Sequence, residues 1–254
     1  MKKRVLAAIL IAVVFVDTGV SAQSEKNVTT QRLIWLGYNN KFRITNRWML
    51  VTEIEDRRYA FPDRQNEWIL PRVTVLRDVG SGWNAGIGFA HFRQSSPDNQ
   101  EVDIAYVRPE LRPHVEANYA QKPGAGKLSM DHRYKLEGRF IHRTSSAGLE
   151  DGYTFNIRLR YRIQLSYPLI KKESAPGTLL AKAYNEFMVN FGKHILYNSF
   201  DQNRLGIALN YGLRKDLQLQ ADFVHIFKER TSGEYLNQYV ERFTIYHTIN
   251  RIKN

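Results

Sequence analysis

One stretch of the chain, residues 153–167, alternates between apolar and polar side chains at every one of its 15 positions. Tyrosines stand at both ends of the apolar face and aliphatic residues fill its middle, whereas the polar face carries Arg158, Arg160 and Arg162. Successive side chains of a β-strand point to opposite faces, so this pattern predicts one apolar and one polar face. Strands of soluble sheets usually have about 5–6 residues. We therefore expect a strand that crosses a bilayer, with an apolar band between two aromatic girdles.

The N-terminus has the features of a secretory signal peptide. A basic segment, residues 2–4, precedes an apolar run over 5–16, and the small residues at 20–22 (Val-Ser-Ala) form a cleavage site. The apolar run is shorter than the ~20 residues that a membrane-spanning helix needs. We predict a signal peptide over 1–22 and a single outer-membrane barrel domain over 23–254.

The composition excludes several classes of protein. The chain contains no cysteine, so it can form neither disulfides nor cysteine-ligated metal sites. No later stretch approaches ~18 consecutive apolar residues, which excludes a helical membrane protein. The mean hydropathy of −0.45 fits a barrel, because each lipid-facing residue of a barrel alternates with a polar inward-facing one.

The chain is basic, with a net charge of +12, of which +10 remains once the +2 of the predicted signal peptide is removed. The basic residues alternate with apolar ones along predicted strands and do not cluster on a helix or a loop. We therefore expect no nucleic-acid partner. We expect these charges to line a lumen or to meet outer-membrane lipids and lipopolysaccharide.

From residue 31 onward the sequence reads as eleven alternating segments separated by polar turns. The segments lie at about 31–44, 47–59, 66–77, 83–93, 104–121, 129–143, 153–167, 179–191, 203–211, 217–228 and 235–249. This pattern predicts an all-β, antiparallel, up-and-down transmembrane β-barrel of about 10–12 strands. Single-chain bacterial barrels have even strand numbers, so we expect ten or twelve.

Two local features refine the predicted strands. Pro109 and Pro113 cannot donate to a ladder, which predicts a bulge or a strand end inside the fifth segment. In the third segment, period-two alternation predicts that Ile69, Val73 and Val75 share one face.

Several strings, in this order, resemble one family. They are QRLIWLGYNNKFRITNRWML at 31–50, RPELRP at 108–113, HRYKLEGRFIHR at 132–143, RLRYRIQLSYPL at 158–169, AYNEFMVNFG at 183–192 and DQNRLGIALNYGL at 201–213. The chain resembles the exported "domain of unknown function 2490" family of Gram-negative bacteria over nearly the whole mature chain. The resemblance implies an outer-membrane barrel and implies no activity.

Charged residues on the inner positions of neighbouring strands form the strongest candidate site. They are Arg108, Glu110, Arg112, Arg133, Lys135, Glu137, Arg139, Arg158, Arg160, Arg162, Glu186 and Arg204. Arginine and carboxylate side chains pair inside a narrow barrel, which predicts a salt-bridge network that fills the lumen. The arginines outnumber the acids, so an anion-preferring passage or an anionic-ligand cavity is the alternative. We expect a plug or a narrow passage, since a small barrel has a limited interior.

Metal and cofactor sites are not expected. The seven histidines are scattered among separate segments and none stands at a metal-ligand spacing. No nucleophile motif and no phosphate-binding glycine loop is present.

One enzymatic hypothesis remains, at the end of the sixth segment. His142 lies near the end of a predicted strand, at a position whose side chain faces outward, and Ser145 and Ser146 follow it closely. Glu150 is an acid that could orient the histidine. Outer-membrane lipases and lipid A deacylases place such a histidine and serine on the lipid-facing wall. The serine stands at a different spacing here than in the deacylases, and a girdle histidine beside a polar loop is the plain alternative.

Taken together, these patterns favour a non-enzymatic outer-membrane barrel with a charged, largely filled lumen, either structural or narrowly anion-preferring. A lipid-modifying hydrolase of the outer membrane is the second hypothesis. A soluble periplasmic lipid-binding barrel is the third, although soluble barrels hold their apolar residues inside.

Overall fold

The computed structural model describes residues 28–123, 126–145, 148–170 and 176–251. These ranges form β1 (Val28–Arg43), β2 (Trp48–Tyr59), β3 (Arg64–Gly80), β4 (Trp83–Ser96), β5 (Tyr106–Gln121), β6 (Ser129–Ser145), β7 (Gly148–Ile170), β8 (Leu179–Phe191), β9 (Phe200–Gly212), β10 (Leu217–Glu229) and β11 (Tyr235–Asn250). The predicted all-β barrel is confirmed. The predicted signal peptide lies outside the described residues, within which no helix is long and apolar enough to cross a membrane.

The described residues form a closed barrel of eleven strands, which confirms the predicted range of about 10–12. The narrower expectation of an even number, ten or twelve, was wrong. Each strand pairs antiparallel with the next, and β1 closes the barrel by pairing with β11 in parallel, from Val28 opposite Tyr235 to Arg43 opposite Asn250. An odd number of antiparallel strands leaves the first and last strands running in the same direction, so their pairing must be parallel. As a result β1 begins at one end of the barrel and β11 ends at the other.

The predicted two-faced strand is the middle of β7, which at 23 residues is the longest strand in the described part of the chain. Its alternation is confirmed: Leu159 is 44% exposed, whereas the adjacent Arg160 is 6% exposed. The same alternation holds on β2, where Ile54 is exposed and its neighbour Glu55 is buried. The polar face of the strands therefore points into the barrel and the apolar face points outward.

Two local predictions were wrong. β5 runs through Pro109 and Pro113 without a register shift against β4, because the remaining ladder groups keep the strand continuous despite two missing donors. In β3 a bulge between Ile69 and Arg72 places two residues opposite one of β4 and reverses the alternation. Ile69 is consequently buried inside the barrel, whereas Val73 lies on the outer face opposite Phe89.

The two ends of the barrel differ. We call one the Asp98 end, after a residue of its loop, and the other the funnel end, after the interior cavity that opens there. The Asp98 end holds the start of β1 and the β4–β5 loop, residues 97–105. The funnel end holds the end of β11 and the turns at 44–47, 81–82 and 213–216. An apolar cluster of inward-facing side chains lies nearer the Asp98 end, and its members are Leu33, Trp35, Tyr59, Tyr184, Val224, Ile226 and Val240.

A glycine of β9 makes room for one member of this cluster. Gly206 lies directly opposite Tyr184 of β8. A Cβ atom at position 206 would lie 2.5 Å from Oη and 2.6 Å from Cε1 of Tyr184. The absence of a side chain at 206 thus allows the tyrosine ring to lie against the strand, where its hydroxyl accepts a hydrogen bond from Arg242 (3.1 Å).

Candidate functional site

The ion pairs of the barrel interior centre on Arg160 of β7. Its guanidinium donates from Nη1 to Oε1 of Glu137 (2.8 Å) and from Nη2 to Oε1 of Glu186 (2.8 Å). Each carboxylate lies one inward-facing position along the neighbouring strand, which is the diagonal contact that long side chains reach across a sheet. Arg133 donates to the same Glu186 oxygen (2.7 Å). The two carboxylates are 1% and 3% exposed, so these guanidinium groups replace water around them.

A third buried carboxylate, Glu110 of β5, lies between two arginines. Arg112 donates to it from Nε (2.6 Å) and Nη2 (2.8 Å), and Arg139 does so from Nε (2.5 Å) and Nη2 (3.0 Å). Both contacts have the two-pronged geometry in which a guanidinium matches a carboxylate best. Glu110 is therefore held in place from its own strand and from β6.

Arg158 pairs with an acid that sequence reasoning missed. Its Nη2 donates to Oδ1 of Asp201 (3.0 Å) at the start of β9. A register shift between Met188 and Val189 in the β8–β9 pairing lets Asp201 and the next residue, Gln202, both be buried. Strict alternation assigns only one of two successive residues to the interior, so the pattern alone could not find this acid.

Of the remaining predicted residues, some form ion pairs and others form hydrogen bonds with amide side chains. Lys135 forms an ion pair with Glu116 of β5 (2.6 Å), and Arg108 donates to the side-chain oxygen of Gln94 (2.7 Å). Further interior pairs lie on β2 and β3; they are Arg57–Glu55, Arg57–Glu67 and Arg72–Glu53. Period-two alternation could have identified the β2 members but not both Glu67 and Arg72, because the bulge between them reverses the alternation of β3.

A polar cavity of about 440 Å³ occupies the interior toward the funnel end. We call it the funnel. Twelve lysine or arginine residues and five aspartate or glutamate residues line it, and several of these arginines pair with acids just outside the lining, such as Glu110, Glu137 and Asp201. The positive surplus of the wall therefore rests on the cations that have no such partner. Amide and hydroxyl side chains complete the lining, among them Asn39, Gln218 and Thr248.

Some cations of the funnel take part in no ion pair among the described residues. They are Lys41, Arg162, Lys182 and Arg204. Arg162 donates to Gln164 and lies over the ring of Tyr184 (4.4 Å), and Lys182 donates to Gln220 (2.7 Å). Arg204 lies 5.3 Å from the ring of Trp35. Amides and aromatic rings solvate a cation without neutralising it, so this part of the wall stays positively charged.

The Asp98 end is crossed by the β4–β5 loop, which is anchored through Asp98. The Asp98 carboxylate accepts hydrogen bonds from Tyr59 (2.8 Å), Asn66 (3.3 Å) and Lys228 (3.2 Å), and its backbone carbonyl accepts one from Arg230 (2.8 Å). These partners belong to β2, β3, β10 and the turn after β10. One loop residue thus connects strands from different parts of the barrel wall.

The charge of Asp98 is stabilised by these contacts. Burial alone would raise the pKa of the Asp98 carboxyl, but the Lys228 ammonium, the hydrogen bond from Tyr59 and the Arg230 guanidinium lower the pKa below its ordinary value. Asp98 is therefore ionised at neutral pH, in the form that holds the loop.

The profile of one family, described as a protein of unknown function (DUF2490), matches residues 33–237. That range is most of the chain and contains the ion pairs described above. The chain belongs to the DUF2490 family. The resemblance inferred from the sequence strings is thereby confirmed. No curated protein and no solved structure matches this DUF2490 protein.

The residues of the hydrolase hypothesis lie around the β6–β7 hairpin of this DUF2490 chain. His142 donates from Nδ1 to the backbone carbonyl of Arg143 (3.1 Å), and its ring meets the ring of Tyr153 edge-on (4.9 Å). Ser145 lies opposite Gly148, and Ser146 is outside the described residues. Glu150 is exposed on β7. The Nδ1 position that an acid would occupy in a catalytic triad is thus already used by a backbone carbonyl.

Within the ranges that the structure describes, no group of three or more histidine, aspartate or glutamate side chains is arranged to hold a metal ion. The interior of this DUF2490 barrel has two charged features, the funnel and the network of ion pairs.

Proposed function

We propose that this DUF2490 protein is an outer-membrane β-barrel with a closed interior, exported by a signal peptide over residues 1–22. Its interior is a structural charge network on one side and a blind funnel on the other, and it neither conducts ions steadily nor catalyses a reaction.

The distribution of polar and apolar side chains carries this proposal. Among the described residues, 27 buried residues are polar or charged and only 14 are hydrophobic, whereas large apolar side chains are exposed on the outer face of the strands. In water such an outer surface would be unstable and prone to association. In a bilayer the same surface is the one that contacts lipid.

The dimensions of the outer face support a bilayer. Tyr153 and Tyr167 are separated by roughly 46 Å along β7, or about 35 Å perpendicular to the membrane at a tilt of ~40°. This span matches the ~30 Å thickness of the hydrocarbon core of a bilayer plus part of the polar interfaces on either side. Aromatic side chains form two bands on the outer face: Trp83, Tyr119, Tyr134 and Tyr161 on β4–β7, and Phe187, Phe200, Phe227 and Tyr235 on β8–β11.

The interior supports a closed barrel over an open passage. Glu110, Glu137 and Glu186 are each buried between guanidinium groups, and the buried apolar cluster with Leu33 and Val240 fills another part of the interior. An ion that crossed the barrel would have to displace several buried ion pairs at once, which is costly.

The two alternatives receive less support. A lipid-modifying hydrolase needs an acid on Nδ1 of His142, where the carbonyl of Arg143 is the observed partner. A soluble lipid-binding barrel needs an apolar cavity, whereas the funnel is lined mainly by charged and amide side chains.

Cell fractionation of the full-length protein tests the location. We expect the protein in the outer-membrane fraction, and we expect it to migrate anomalously on a gel unless boiled, because a closed barrel resists detergent unfolding. Recovery in the soluble periplasmic fraction, or migration that heating does not change, would contradict the proposal.

A further inference from the structure

We propose that the funnel is a binding site for a phosphate monoester, held by Lys41, Arg162 and Lys182. These cations come from β1, β7 and β8 and face one cavity of about 440 Å³. The proposal concerns the interior of the barrel and does not depend on where the barrel resides.

The first argument separates these cations from the structural network. Arg160 is held by two carboxylates, and Arg139 is held by one in a two-pronged contact. Lys41, Arg162 and Lys182 form no ion pair among the described residues. Lys41 is exposed and Arg162 and Lys182 are half-buried, so their charges are open to the cavity and have no paired carboxylate in the described part of the chain to compensate them. A bound anion would supply that compensation.

The second argument is that the three charges act on one another. All three groups line the same cavity, and Lys182 lies near enough to Arg162 and Lys41 for their charges to repel one another. Two acids act on these cations: Asp222 interacts with Lys182 but is paired with Arg242, and Asp131 of β6 interacts with Lys41 and Lys182 without forming an ion pair among the described residues. Three cations against one free carboxylate leave a surplus of about two positive charges.

The third argument concerns the chemistry of the ligand. A phosphate monoester carries between one and two negative charges near neutral pH and offers three acceptor oxygens. A carboxylate offers one charge and two oxygens and would leave part of the surplus uncompensated. The guanidinium of Arg162 can bind phosphate with two donors, while the two lysines act as point charges. Amide and hydroxyl groups such as Gln218 and Thr248 suit the hydroxyl groups of a sugar.

The geometry of the barrel lets the funnel hold a ligand but not pass it through to the other end. The apolar cluster with Trp35 and Val224 borders the inner side of the cavity. Beyond it the loop anchored by Asp98 crosses the other end. A ligand would enter and leave through the same mouth.

Isothermal titration of the purified full-length protein tests the site, with inorganic phosphate and a hexose 6-phosphate as probes and the free hexose as reference. Ionic strength is kept constant with chloride, so that screening is the same in each titration. We expect both phosphates to bind and the free hexose not to bind. We expect the variant Lys41→Gln/Lys182→Gln to lose about ten-fold in affinity for each lysine removed.

Two further variants keep the test independent of folding damage. Asp131→Asn removes the opposing carboxylate and should tighten phosphate binding several-fold, which a merely damaged protein would not do. Lys215→Gln removes a charge from an exposed turn at the same end, outside the funnel, and should leave the affinity unchanged. Equal loss in Lys215→Gln and the double variant would overturn the proposal, because it would reduce the effect to general attraction.

The source of the phosphate is settled by a second set of probes. Mixed micelles containing phosphatidic acid present the same monoester on a lipid, and phosphatidylcholine micelles serve as reference. Binding of the hexose phosphate supports a soluble ligand, and binding of phosphatidic acid alone supports a lipid headgroup. Binding of none of the phosphate probes overturns the site.

Discussion

Each buried carboxylate of the barrel wall is stabilised by particular guanidinium groups. The register between neighbouring strands decides which arginine pairs with which carboxylate. Glu137 and Glu186 share Arg160, whereas Glu110 is bound by Arg112 and Arg139. Removing one partner of such a pair costs about 3–5 kcal/mol in other proteins, because a charge is left buried alone. The paired residues are therefore explained by folding, which directs attention to the cations without partners.

Asp98 is the residue at which pH should act on the closed end. The folded-state pKa of the Asp98 carboxyl is lowered. The ionised carboxylate therefore makes its full contribution to the free energy of unfolding above the unfolded-state pKa of ~3.9. That contribution is lost as the pH falls through the lower folded-state pKa. We expect Asp98→Asn to unfold more readily than the natural protein at neutral pH and the difference to shrink below about pH 4, as measured by urea unfolding at a series of pH values.

Asp63 provides the matched control for this prediction. It lies in the β2–β3 turn at the same end, where it is exposed and pairs with Arg58 (2.6 Å). Exposed ion pairs contribute little to stability because solvent screens them. A pH-dependent difference in Asp63→Asn as large as that in Asp98→Asn would show that Asp98 has no special role.

At the scale of strands, the sequence predicts which side chains face inward or outward wherever the alternation is regular. It does not predict the positions at which a bulge changes the facing. The outward and inward faces of β2, β6 and β7 follow directly from period-two patterns, and their observed exposure agrees. The bulge after Ile69 and the shifted register at Asp201 depend on how two strands pair. That information is not local, so reading one strand at a time could not supply it.

The contact between β8 and β9 gives a test at this scale. We expect Gly206→Val to destabilise the barrel by about 1–3 kcal/mol, because the new side chain would overlap the ring of Tyr184. Urea unfolding of the purified barrel measures the change. Since the clash needs the ring, the same substitution should cost less in a Tyr184→Ala background.

Gly126 offers the matched control. It lies in the β5–β6 connection, and the nearest atom to a Cβ placed there is the backbone nitrogen of Leu128, at 3.9 Å. Gly126→Val should therefore change stability by less than about 0.5 kcal/mol. If both valine variants were equally unstable, the fit of Tyr184 against Gly206 would not be the cause.

At the scale of the whole molecule, closure was harder to predict than strand content. The eleven segments were identifiable from the sequence, yet the parallel pairing of β1 with β11 joins residues about 200 positions apart and has no local pattern. The same holds for Asp98, which lies in a polar loop and acts through Tyr59 and Lys228. The charged inner face was predictable because it follows the alternation, whereas its division into paired and unpaired groups requires three-dimensional distances.

Planar-bilayer recording tests the closed interior as a property of the complete barrel. We expect no steady current through the purified protein. We expect Arg160→Ala to conduct little or nothing, because Arg133 and Arg158 still occupy the neighbouring wall and the apolar cluster remains. A large anion-selective current through the natural protein would contradict a closed interior.

The odd number of strands has a consequence for how the molecule is oriented. Polypeptide joined ahead of β1 and polypeptide joined after β11 leave the barrel at opposite ends. In the proposed outer-membrane location, a bilayer would separate two epitopes placed at these positions, and antibodies outside an intact cell would reach only one. The epitope that they reach would identify the compartment toward which the mouth of the funnel opens, since β11 ends at that mouth.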